Sequence, residues 1–90
     1  MVNQINQEQI SDQMNQLKKL AEKTTIPPVN MYIVMALRQL VKVLVLNEHN
    51  QFKAWRVNKA IECISTAVQL PQCTKEEKSE LITITCQLEK

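Results

Sequence analysis

The sequence predicts an all-α fold, a compact bundle of four short helices with an unusually apolar central helix 2. Three observations predict it. Apolar residues recur at three- and four-residue spacing in four separate segments. Helix-breaking or helix-starting stretches divide those segments: TTIPPVN at 24–30, NEHNQ at 47–51 and PQCT at 71–74. The chain also contains no glycine, so neither glycine-dependent tight turns nor a glycine-rich phosphate loop is available. Ninety residues make a single domain, 1–90, with a modest core. That core must be mostly aliphatic, because the only aromatic residues are Tyr32, Phe52 and Trp55.

The first helix is expected over about residues 7–23. Asn6 can cap it while Gln9, three residues on, reaches back to complete a capping box, with Ile5 and Ile10 as a hydrophobic staple. Ile10, Met14, Leu17 and Ala21, with Leu20 beside them, make a narrow apolar stripe on a polar helix. The positive end of KKLAEK, residues 18–23, suits the C-terminal dipole.

The second helix is expected over about residues 29–46. Pro27 and Pro28 disfavour helix before them, and Pro28 fits a first turn. The segment NMYIVMALRQLVKVLVLN, residues 30–47, is too long for an ordinary strand. It is also a poor membrane span, since Arg38 and Lys42 near its centre would each cost about 3 kcal/mol. At helical spacing Arg38, Gln39 and Lys42 share one strip, opposite Ile33, Val34, Leu37, Leu40, Val41 and Leu44, and Val43 and Val45 widen the apolar arc. The reading is a central helix buried on most of its surface, with the Lys and Arg stems lying over apolar neighbours. Three thin neighbours would leave part of it bare, which a homodimer would bury.

The third helix is expected over about residues 52–70, after a connection in which Asn47 takes the helix-ending role glycine often fills. Pro71 stops it, and Val57, Ala60, Ile61, Ile64, Ala67 and Val68 form its core face. The fourth is expected over about residues 75–88, opened by a capping box of Thr74 and Glu77 with Glu76 in its acidic first turn. Leu81, Ile84 and Leu88 repeat at helical spacing, with Ile82 and Cys86 alongside, yet LITITC at 81–86 also alternates like a strand. Four helices on short connections imply an antiparallel or partly orthogonal bundle. With TKEE at 74–77 opening the last helix, the layout is similar to that of the small immunity proteins of pediocin-like bacteriocin producers. The capping box is a general helix signal, so that similarity stands as an example of the class and not as an identification.

Composition narrows the function. A formal net charge of +2 is too weak to point by itself to a polyanion partner. Cys63, Cys73 and Cys86 are spaced ten and thirteen apart with no CxxC pair, and His49 is the only histidine, so no metal site is expected. The thiols read as reduced, with Cys63 and Cys86 half-buried and Cys73, near the start of helix four, open to a lowered thiol pKa. No nucleophile–base constellation or cofactor motif can be assembled, so the chain is read as non-enzymatic and without cofactor. MVNQINQEQISDQ has no secretory pattern and CQLEK no prenylation box, which with the thiols suggests a cytoplasmic protein.

Trp55 is the most informative single residue. It points away from the core face of its helix, with Phe52, Arg56, Lys59 and Cys63 along the same flank. Trp and Arg are enriched at interaction hot spots, so Phe52, Trp55, Arg56 and Lys59 are the candidate partner-binding residues. The competing expectation is that Phe52 and Trp55 pack under the 47–51 connection or against the first helix, because small domains rarely expose their only Trp. Arg38, Lys42, Lys53, Arg56 and Lys59 are candidate phosphate contacts, interrupted by Glu48 and Glu62. Three functions follow: a protein-interaction module such as a regulator, adaptor or inhibitor carried by a phage, plasmid or bacterium; a nucleic-acid-binding regulator using the basic flank of helix three; or an oligomer sequestering a small ligand or nucleotide.

Overall fold

The computed structural model of the chain describes residues 6–89. Its elements are α1 (Gln7–Lys23), α2 (Val29–Val45), α3 (Asn50–Gln69) and α4 (Lys75–Leu88). The all-α bundle is therefore as expected, and the strand-like 81–86 segment is helical. The Thr83 hydroxyl there donates back to the Ser79 carbonyl at 2.9 Å, so its oxygen finds a partner within the helix. Thr66 makes the same contact with the Glu62 carbonyl on α3, at 3.0 Å.

The helices form a square. Each packs against its sequence neighbours, α4 closes on α1, and the diagonal pairs make no close backbone approach. The polar contacts fix the direction of α4: Gln9 at the start of α1 bonds Gln87 at the end of α4, and Thr24 beyond the end of α1 bonds Glu77 at the start of α4. The two helices therefore run antiparallel, as the short connections make every other neighbouring pair run.

Helix α2 supplies the middle of the core from one corner of that square. Val29, Ile33, Ala36, Leu40 and Val43, spaced by three and four, are all 0% exposed. Leu17 and Leu20 of α1, Val57, Ile64 and Ala67 of α3, and Leu81 and Ile84 of α4 close around them. With α1 and α3 as its only neighbours, α2 keeps an open outer side. Met31, Met35, Val41 and Val45 are exposed there, so the expectation that most of its surface is buried does not hold. Val41 and Val45 lie with Arg38 and Lys42, not with the core stripe.

Helix ends are managed without glycine. No described residue has a positive φ, and α1, α2 and α3 each end in an extended residue, Thr24, Leu46 and Leu70. Asn47 therefore takes no left-handed stop; the Leu46 amide closes on the Lys42 carbonyl and the chain then extends. Helix α3 starts two residues before its expected start, because the amides of Phe52 and Lys53 already bond the His49 carbonyl. Half of the expected Asn6–Gln9 box forms. The Gln9 amide donates to the Asn6 side chain, but the Gln9 side chain turns away to the carbonyl and side chain of Gln87 on α4. Ile5, the other half of the proposed staple, lies outside the described residues.

One polar cluster ties three helix ends together. Asn30 of α2 donates to the Ala21 carbonyl at 3.0 Å and to the Thr24 carbonyl, satisfying the open end of α1. The buried Thr24 donates its hydroxyl to Glu77 at 2.7 Å. Glu77 and Thr74 complete the expected reciprocal capping box of α4. The Thr24 hydroxyl and the Thr74 amide together hold the Glu77 carboxyl below its ordinary pKa of 4.5.

Two measurements check this account. Leu40→Ala should cost about 3 kcal/mol, roughly 15 °C in melting temperature, whereas Val45→Ala on the open side should stay within about 0.5 kcal/mol. Because folding lowers the Glu77 pKa, its contribution is present in full above the ordinary carboxylate range. It is lost as pH falls through the lowered folded value. Thermal melts from pH 7 to pH 3 should therefore fall less steeply on the acid side for Glu77→Gln than for the parent chain, without becoming flat, since Glu48 is lowered as well.

Candidate functional site

The expected site residues divide into an exposed aromatic pair and a set of cations interleaved with carboxylates. Phe52 and Trp55, one turn apart near the start of α3, are 49% and 52% exposed. Trp55 therefore lies at the surface and does not pack beneath the 47–51 connection or against α1. With Gln51 the two rings frame an apolar depression of about 390 Å³. The Lys59 Nζ stands 5.6 Å and the Arg56 guanidinium 5.9 Å from the Trp55 ring centroid, both in cation–π range. Such contacts flank the indole without covering it.

Arg56 is the most constrained of the four partner-binding candidates. Its Nε and Nη2 grip the two Glu48 oxygens at 2.6 and 3.1 Å, and its Nη1 donates to the Gln39 side chain of α2 at 3.1 Å. This fork pins the α2–α3 connection to both helices. It holds the Glu48 carboxyl below its ordinary value, with Lys42 and Lys53 contributing, and raises the guanidinium in turn. Arg56 thus serves the architecture under Trp55, and most of its donors are committed.

The five candidate phosphate contacts do not form one uniform patch. Lys42, Lys53 and Arg56 gather within electrostatic reach of Glu48, and Lys59 pairs with Glu62 at 3.1 Å. Lys53, two positions before Trp55, projects from nearly the opposite side of α3. Arg38 is exposed on the outer strip of α2. Even so, α2, α3 and their connection hold five cations against two carboxylates, while α1 and α4 hold five lysines against six acids. The positive charge of the chain is concentrated on one half of the bundle.

Sequence reasoning missed the apolar residues bordering this half. Met31, Met35 and Val45 share the outer strip of α2 with Arg38 and Lys42, and Val45 is 74% exposed. The exposed Leu46 follows at its C-terminal end. The same helical spacing that placed Arg38 and Lys42 together carries Met31 and Val45 with them, so the signal was present. On the other half, a groove of about 440 Å³ between α1 and α4 is lined by polar side chains including Gln13, Lys19, Glu80 and Gln87.

The thiols are distributed differently from expectation. Cys73 is buried and Cys86 exposed, with Cys63 between them, and all three are free. Burial pushes the Cys73 thiol up, with the Glu77 carboxylate adding to the effect, so the lowered pKa expected at a helix start is not found. Burial raises Cys63 as well. His49 is the N-cap residue of α3 and its ring makes no capping bond. Among the described residues no group of His, Cys, Asp and Glu has the arrangement of a metal site, and no helix is long and apolar enough to cross a membrane.

A thiol-reactive probe at neutral pH should label Cys86 first, Cys63 more slowly and Cys73 only on the timescale of opening, as read by peptide mass spectrometry. Rapid labelling of Cys73 would contradict the packing at the start of α4. No protein-family model matches this chain, and no curated protein or solved structure matches it either.

Proposed function

We propose that this chain is a small, non-enzymatic helical protein-interaction module, a regulator, adaptor or inhibitor, that binds a protein partner through the α3 flank of Phe52, Trp55 and Lys59. One observation carries the reading: a small domain with a well-filled aliphatic core leaves its only Trp half exposed beside a half-exposed Phe. An exposed aromatic pair with cations beside it is the usual chemistry of an interface hot spot. Arg56, held by its Glu48 fork, stands 5.9 Å from the Trp55 ring centroid. Three free thiols suit a reducing compartment such as the cytoplasm.

Binding of nucleic acid through Arg38, Lys42, Lys53, Arg56 and Lys59 is less well supported. Glu48 and Glu62 stand among those cations and are paired with two of them. A phosphate backbone would have to compete for Arg56 and Lys59. A homodimer formed by apposing the outer faces of α2 is disfavoured in the same way, because a two-fold axis there would bring Arg38 and Lys42 against their own copies.

Affinity capture from native lysate, with nuclease-treated and untreated halves, tests the proposal. A stoichiometric protein should survive nuclease and be lost, by about thirtyfold or more in affinity, with Trp55→Ala. The variant should melt within about 3 °C of the parent, as a surface substitution does. Bound material that vanishes with nuclease, or a partner indifferent to Trp55→Ala, would overturn it.

A further inference from the structure

We infer that the partner segment is an acidic amphipathic helix lying along the α2–α3 face, its apolar stripe on Met35, Leu46, Phe52 and Trp55 and its carboxylates on Arg38 and Lys42. This rests on the protein-binding reading above and adds the chemistry of the partner. The Arg56–Gln39 contact joins α2 and α3 where the outer strip of α2 meets the Phe52 and Trp55 flank of α3. The surface so formed carries exposed apolar residues toward both ends, Met31 and Met35 at one and Leu46, Phe52 and Trp55 at the other, with the cations between them.

Its charge stays net positive where the partner would lie, with the Glu48 carboxylate within electrostatic reach of Lys42. Both carboxylates of this half are already engaged, Glu48 by Arg56 and Glu62 by Lys59. Arg38 and Lys42 remain as exposed cations one helical turn apart on α2. That separation, roughly 6 Å, is also the spacing of two carboxylates at i and i+4 on a facing helix. The apolar contacts repeat by turns as well: Met31 with Met35 on α2, and Phe52 with Trp55 on α3. From Met31 to Leu46 the face runs about 22 Å, room for a partner helix of about four turns.

A second copy of this chain fits less well, for the like-charge reason already given. A bilayer is also a poorer match: its apolar interior favours cations at the edges of an apolar face, whereas Arg38 and Lys42 stand in the middle of the α2 strip. Carboxylates on a facing helix meet cations in that position.

Trp55 is the only tryptophan, so its fluorescence reads binding directly. The folded chain is titrated with a four-turn amphipathic peptide bearing Leu on one face and Glu beside it, and with the same peptide carrying Gln for Glu. Phosphatidylserine–phosphatidylcholine vesicles and a short DNA duplex provide parallel arms. The expected result is a blue shift of Trp55 with the Glu peptide, at least about tenfold tighter than with the Gln peptide, weakening as salt rises. The double variant Arg38→Gln, Lys42→Gln should lose most of that preference while keeping its melting temperature. Equal binding of the two peptides, no peptide binding, a preference unchanged in the double variant, or tighter binding to vesicles or duplex would each overturn the inference. The captured partner separates the two readings. If Trp55→Ala abolishes its binding and the double variant does not, the interaction module stands and the acidic helix falls.

Discussion

The structure depends on burying one stripe of α2. Val29, Ile33, Ala36, Leu40 and Val43 lose all contact with solvent, and the other three helices are arranged so that their narrower stripes meet around them. Each of the larger ones, Val29, Ile33, Leu40 and Val43, is worth about 1.5–3 kcal/mol, a sizeable share of the net stability of a domain this size. Once α2 occupies a corner of the square, its neighbours α1 and α3 can cover only part of it. The open outer side, with its methionines, valine and two cations, follows from that geometry.

The connections are shaped by the absence of glycine. Each of the first three helices stops in an extended residue, which leaves carbonyls at its end to be satisfied from elsewhere. At the end of α1 the donor comes from Asn30, and the buried Thr24 passes the connection on to Glu77 and the start of α4. At the end of α2 the Arg56 fork on Glu48 holds the connection against α3. These polar ties fix helix order and register at the bundle ends, where apolar contact alone would allow slippage. The second also places the Arg56 guanidinium 5.9 Å from the Trp55 ring centroid, so a structural element borders the candidate interface.

Local signals were legible where no distant partner displaced them. The Thr74–Glu77 box, the core periodicity of α3 and the limits of α1 all appear as the spacing predicts. Long-range partners were not legible. Gln9 left its own capping box for Gln87, a residue 78 positions away, because the end of α4 offers it both a carbonyl and a side-chain oxygen. Asn47 looked like a left-handed stop, but the chain holds that connection through Arg56 and Glu48 without one. The burial of α2 was overestimated because its apolar arc was counted before its neighbours were placed. Cys73 was judged from its position at a helix start, while its burial came from packing that no local pattern encodes.

For the candidate site, the exposure of Phe52 and Trp55 and the engagement of Arg56 with Glu48 could not be read from spacing. Phe52 and Trp55 present apolar surface, Lys59 and Arg56 flank the indole, and Arg56 is largely spent on the fold. Arg38 and Lys42 extend the surface onto α2, where the apolar residues that join them complete it. The central claim is that this surface is open in the free chain. Emission and acrylamide quenching of Trp55 in the isolated protein, across a wide range of protein concentration, test it most directly. The account predicts emission close to that of a hydrated indole and ready quenching at every concentration. A blue-shifted, protected Trp55, or one that becomes protected as the protein is concentrated, would show that the chain covers this surface itself.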